Sequence, residues 1–166
     1  LLASRLDAKQ TDAEPFEQLD LTGLAAEECA RAGAELGMSA TGQSLVVQGS
    51  PRLLRRLMRN LLENAKRYGA NAGGQGDVTL ELTQKRVGAL DMAVIAVHDR
   101  GPGVPLGQRE RIFEPFYRLP GASEREGGVG LGLALVKSIS ERHRGTVRCE
   151  ARPGGGATFI VELPAV

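Results

Sequence analysis

The chain's 166 residues suffice for one domain with a full core, and a composition 42% hydrophobic and 25% charged is that of a globular rather than a disordered chain. A net charge of +1 gives no argument for nucleic acid or an anionic membrane, and 4% aromatic content without Trp argues against a base-stacking platform. Cys29 and Cys149 are far apart and form no metal-type or redox-type pair, which fits a reduced compartment; His98 and His143 are isolated, so no zinc site is expected. No apolar run reaches the ~18 residues of a membrane span, and no signal peptide is evident.

The start, LLASRLDAKQ, lacks an initiator Met and reads as the last turns of a helix already under way. Residues 1–14 are therefore expected to be the end of an incoming helix and a linker, and 15–166 the domain proper. Phe16, Leu19 and Leu21 suit a short entering strand. Thr22 can cap a helix through Leu24, Ala25, Cys29 and Leu36 that Gly37 would end. SLVVQ, residues 44–48, is a short strand candidate.

Residues 50–69, SPRLLRRLMRNLLENAKRYG, predict a helix with both ends marked. Ser50 suits the N-cap, Pro51 the first helical position, and Gly69 the left-handed residue past the end. Leu54, Leu57, Leu61, Leu62, Ala65 and Tyr68 recur at helical spacing as an apolar stripe. Asn60 and Asn64 lie one turn apart on its border, with Arg67 close to the same line. Asn is a poor helix former, so the pair suggests either a polar site on a rigid element or plain solvent-boundary polarity.

ANAGGQG, residues 70–76, is a loop by composition. Val78, Leu80 and Leu82 alternate with polar residues as a half-buried strand does, and 90–97, LDMAVIAV, reads as a buried one. With Gly88 between them they predict an antiparallel hairpin. Then come Asp99-Arg-Gly101-Pro-Gly103 and a long irregular span over about 105–128, of the kind that serves as a lid and is expected to be mobile without ligand. Phe113, Phe116 and Tyr117 fall in it, as a lid cluster or a short helix tucked into the core. GGVGLGL opens a helix carrying Ala134, Leu135, Val136 and Ile139, and strands at 146–149 and 157–163 close the chain around RPGGG. Without regular βαβ alternation the order predicts α+β, with a mixed, largely antiparallel sheet and three main helices.

Gly128, Gly130 and Gly132 alternate just before a helix, where backbone N–H groups can face a phosphate. The dinucleotide fingerprint fails, because Leu133 stands where Gly or Ala is required and no strand precedes; no Gly-Lys-Ser/Thr is present for a P-loop. A carboxylate at Asp99 can accept from a purine's exocyclic amine, although Asp-x-Gly is also a common turn.

Taken together, Asn60/Asn64 on a helix, Asp99-x-Gly-x-Gly, Phe113/Phe116 and Gly128-x-Gly-x-Gly resemble, in order and spacing, the four nucleotide-binding boxes of sensor histidine kinases. The resemblance implies the Bergerat fold, a two-layer α/β sandwich shared with gyrase B and the mismatch-repair ATPases, with ATP and Mg²⁺ held between helices and lid. It implies Asn64 as metal ligand with Asn60 beside it, Arg67 reaching the phosphates, and Tyr68 lining the nucleotide pocket. Asp99 would read adenine, with Gly101 and Gly103 making room for the base. Gly128, Val129, Gly130, Leu131 and Gly132 would offer backbone amides to the phosphate chain, and Arg118 and Arg125 would stand near the γ-phosphate. Glu63 matches an acidic position that assists proton handling in some members, though helical geometry turns it about 100° from Asn64.

The family often has Gly-Asp before the first box helix where this chain has Gly49-Ser50, one N-cap in place of another. Neither His98 nor His143 lies on a long N-terminal helix with a following acidic residue, so the chain is expected to bind ATP and to phosphorylate a histidine elsewhere. The expected partners are the parent's dimerisation domain and a downstream response regulator, in a parent anchored in a bacterial inner membrane, the fragment alone being a cytoplasmic monomer. The alternatives are an anti-sigma-type serine kinase and a gyrase-like clamp ATPase. Clamp ATPases carry a Glu base where this chain has Asn60, which argues for transfer rather than hydrolysis.

Overall fold

The computed structural model describes residues 15–38, 44–68, 77–117 and 131–166. The sequence-based expectations for 1–14, for Gly69 and the 70–76 loop, and for 118–130 with Arg118, Arg125, Gly128, Val129 and Gly130 lie outside the described residues.

Strands β1 (Glu17–Asp20) and β3 (Val46–Gly49) pair antiparallel in a small sheet of their own. The main sheet has the order β2-β4-β5-β7-β6, from β2 (Glu35–Met38), β4 (Thr79–Val87), β5 (Leu90–His98), β6 (Thr146–Ala151) and β7 (Ala157–Pro164). The β2–β4 pair is parallel and the other neighbours antiparallel, so the sheet is mixed as expected. Helices α1 (Leu21–Ala32), α2 (Pro51–Tyr68) and α3 (Gly132–Arg142) form the second layer, with α2 packed against both α1 and α3.

The alternation in the sequence sorts the two sheet faces. Leu80 and Leu82 on β4, Ile95 and Val97 on β5, and Phe159, Val161 and Leu163 on β7 are all buried. They join Leu54, Leu57, Met58, Leu61, Leu62 and Ala65 of α2 in one core. Truncating any of these leucines to Ala would cost about 2–5 kcal/mol.

The β4–β5 hairpin forms as expected, with Gly88 left-handed at its turn (φ 62°). The first helix differs from expectation. Asp20, not Thr22, caps it, its carboxylate accepting from Thr22 N–H. Gly33, not Gly37, ends it in the left-handed conformation, its N–H bonded to the Cys29 carbonyl. The chain therefore leaves the helix four residues earlier, and Leu36 and Gly37 become part of β2, with Gly37 opposite Glu81. Two glycines competed for one stop signal, and a parallel strand of four residues has too short a pattern to declare itself.

Candidate functional site

α2 begins with a cap made from both sides. Ser50 Oγ accepts from Leu53 N–H (3.2 Å), and the Ser50 N–H donates to His143 Nε2 (3.1 Å). Downstream, Asn60 and Asn64 are half-buried on the margin of the apolar stripe, and among the described residues neither amide has a hydrogen-bond partner. A half-buried amide without a protein partner leaves its oxygen and N–H groups to water or a ligand. Amide oxygens are hard donors of the type that Mg²⁺ accepts, so the pair fits the implied ion. Glu63 and Arg67 stand on the exposed flank of the same helix and line a groove of about 550 Å³ toward α1. Tyr68 closes α2.

Asp99 follows β5 directly and is 4% exposed. Its Oδ1 accepts from Gly101 N–H (2.9 Å) and Ala157 N–H (3.1 Å). Among the described residues both side-chain bonds fall on Oδ1, which leaves Oδ2 to accept from a ligand amine. Gly103 turns the loop at φ 80°, where a β-carbon would lie 3.2 Å from the Gly156 carbonyl oxygen. The glycines thus serve the turn and the close approach of the β6–β7 turn, as well as the room for a base that the motif suggests.

The span after Val104 is not bare coil where it is described. Two 3-10 turns, Leu106–Gln108 and Arg111–Phe113, carry it to Tyr117. Phe113 is buried edge-on against Phe159 (6.3 Å between centroids), and Ile112 is buried beside it. Phe116 is 54% exposed at a positive φ of 64°, and the Arg111 guanidinium lies over the Tyr117 ring. The aromatic cluster therefore splits: Phe113 anchors the segment to the core, and Phe116 faces out. α3 packs on the Arg111–Phe113 turn. Leu131 is the N-cap of α3 and Gly132 its first residue, so the described end of the glycine run sits at a helix N-terminus.

Two features had only faint sequence signals. His143 is 5% exposed; its Nδ1–H donates to the Ile139 carbonyl (2.8 Å) while Nε2 accepts from Ser50, so the ring is the neutral Nδ1 tautomer. It stacks on Phe16 at 4.6 Å, and burial holds its pKa below the ordinary value. A β-carbon on Gly49 would lie 2.6 Å from this ring, which explains a glycine there. A lone His after a helix gave no hint of that role. Glu28 is buried between α1 and α2, with Arg59 Nε at 2.8 Å and Arg55 at 3.2 Å. The Arg59 hydrogen bond, helped by Arg55, outweighs burial and lowers the Glu28 pKa. A Glu within an apolar helix face was the available clue.

A sequence-family profile described as "Histidine kinase-, DNA gyrase B-, and HSP90-like ATPase" matches residues 49–166. The chain is 35% identical to the sensor protein CutS of Streptomyces coelicolor over 99% of its own length and 39% of that protein's. It is 37% identical to the sensor histidine kinase CpxA of Escherichia coli over 84% of this chain and 29% of that one. Among solved structures, the mycobacterial sensor histidine kinase MprB superposes with a TM-score of 0.76 at 29% identity, covering 90% of this chain and 98% of that one. The ATP-binding domain of PrrB from Mycobacterium tuberculosis superposes at 0.67 and 31% identity, covering 92% and 99%. The chain thus spans about two fifths of the length of CutS and nearly all of the MprB and PrrB structures. With the α/β sandwich and the Asp99 loop in place, it belongs to the histidine kinase-, DNA gyrase B- and HSP90-like ATPase family, with sensor histidine kinases among its relatives.

Proposed function

We propose that this domain binds Mg-ATP and donates the γ-phosphoryl group to a histidine on the dimerisation domain of a sensor histidine kinase. The observation that carries the reading is the pair of half-buried amides of Asn60 and Asn64, without hydrogen-bond partners among the described residues, on α2, the helix that packs against β5 and α3. Asn64, with Asn60 beside it, would hold Mg²⁺, which when bound supplies charge neutralisation for the phosphate oxygens. Asp99 Oδ2 would take the adenine amine, with Oδ1 fixed by two backbone N–H groups. The N-terminus of α3 at Leu131 and Gly132, which no side chain caps among the described residues, would face the phosphates with its amides and the positive end of its dipole. Arg67 is exposed at the edge of the groove toward α1, one turn past Glu63, and would have to swing from there to reach the phosphate chain; Tyr68, Arg118, Arg125 and the Gly128–Gly130 amides complete the proposed set.

The two histidines of these 166 residues support transfer to a histidine outside them. His143 is enclosed, and His98 is tied to Thr158 and Glu81 at the sheet end. No helix among the described residues is long and apolar enough to cross a membrane; a membrane-anchored parent and a response regulator acting after it are part of the proposal. The test mixes this chain and Mg-ATP with a separate dimerisation hairpin carrying the acceptor histidine. Acid-labile, base-stable phosphate on the hairpin is the expected result. Free phosphate release with no labelled hairpin would overturn the kinase reading in favour of an ATPase.

A further inference from the structure

The loop that presents Asp99 runs from the end of β5 to Val104, and a guanidinium holds each of its ends by a main-chain carbonyl. Arg152, in the turn between β6 and β7, donates from Nη1 to the Asp99 carbonyl oxygen at 3.0 Å. Arg109, after the first 3-10 turn, donates from Nε to the Val104 carbonyl oxygen at 3.0 Å. Both approach from one flank, where they line a groove of about 610 Å³. The Arg152 turn is itself locked, with Arg152 N–H bonded to the Gly156 carbonyl and Gly155 N–H to the Arg152 carbonyl. Gly156 (φ 109°) approaches so closely that a β-carbon there would lie 2.0 Å from the Asp99 carbonyl oxygen. Its neighbour Ala157 donates to Asp99 Oδ1 and accepts from Asp99 N–H.

We infer that Arg152 and Arg109 are positioning residues for base recognition: from behind the loop they fix the backbone at Asp99 and Val104, and so set where Oδ2 points. The inference rests on the assignment of Asp99 to adenine. The carboxylate's rotamer is already settled by Gly101 and Ala157, so what remains adjustable is the peptide that carries it. A charged donor on a neutral carbonyl stiffens that peptide without touching ligand. The two arginines act at different points: Arg152 at the reading residue itself, Arg109 five residues on, where the loop enters the lid.

The test measures affinities of the chain for Mg-ATP and Mg-GTP by calorimetry, with thermal unfolding alongside. Arg152→Ala is expected to weaken ATP about tenfold and to leave GTP alone, so that the ATP/GTP ratio falls by the same factor. Arg109→Ala is expected to lower the ratio about threefold. Arg152→Lys, which keeps one charged donor, restores part of the loss. Asp99→Asn serves as reference: Asn keeps an Oδ1 for the two backbone N–H groups and presents an NH₂ where the adenine amine needs an acceptor. If Asp99→Asn loses discrimination while Arg152→Ala keeps the wild-type ratio, with or without a shift in melting temperature, the brace is refuted and the adenine assignment stands. If the wild type binds ATP and GTP alike, or Asp99→Asn changes nothing, both fall together.

Discussion

At the start of α2 the polar groups have protein partners: Ser50 N–H goes to His143 Nε2, and Leu53 N–H to Ser50 Oγ. Three turns further along, Asn60 and Asn64 have none among the described residues. Both regions border the same apolar stripe on the same helix. The first closes a junction, because His143 also holds Ile139 at the end of α3 and stacks on Phe16 where the chain enters the domain. The second leaves hard oxygen donors open on a rigid support. A satisfied buried group stabilises a fold, and a half-buried one without a protein partner is open to water or a ligand. The two regions should therefore fail in opposite ways when altered.

Asn64→Ala should have the largest effect on binding. Mg-dependent ATP affinity should drop by about two orders of magnitude, with the unfolding transition unchanged, because among the described residues the amide has no hydrogen bond to lose. Unchanged affinity would remove Asn64 from the metal role. His143→Ala should show the reverse. It strands the Ser50 N–H, removes the ring donor from the Ile139 carbonyl (which keeps the residue-143 main-chain N–H) and opens a gap beside Phe16, for a loss of about 3 kcal/mol in denaturant unfolding. Once folded, the variant should bind Mg-ATP within about threefold of wild type. A variant as stable as wild type but deficient in ATP would place His143 in the binding machinery instead.

The smallest effect is in pH. The folded-state pKa of His143 is lowered, so the unfolded chain binds the proton first and stability rises with pH through this window. The contribution of the neutral ring is full above about pH 6.5 and is lost as the solution is acidified below that. The slope should approach about 1.4 kcal/mol per pH unit at most. Glu28 and Glu162, both lowered chiefly by arginine hydrogen bonds, add their losses only further down, from their ordinary 4.5. His143→Ala should flatten the upper part of the profile. A slope between pH 6.5 and 5 that survives the substitution would contradict the buried neutral ring.

Much of the candidate site was legible as local structure, because its parts are local. A Ser-Pro start, Leu at helical spacing and two asparagines one turn apart need no distant residue to be read, and α2 spans Pro51–Tyr68 as the spacing predicted. The β4–β5 hairpin declared itself by alternation around Gly88, and Asp99 by its place at the end of a buried strand. β2 did not, because it is four residues long and parallel, and gains its identity only from β4. The aromatic run over 113–117 was ambiguous for a similar reason: nothing in FEPFY says that Phe113 meets Phe159 while Phe116 faces solvent.

The sequence alone determined the α+β class, the helix carrying Asn60 and Asn64, and the order of nucleotide-type motifs, since periodicity and capping act over a few residues. Only the tertiary structure decided the pairing of β2 with β4, the enclosure of His143 between Phe16 and Ser50, and the approach of Arg152 to Asp99. Ser50 and His143 lie 93 residues apart in the chain, and Arg152 and Asp99 53. Contacts of that span follow from how the layers pack, and their geometry has no local pattern from which to be read.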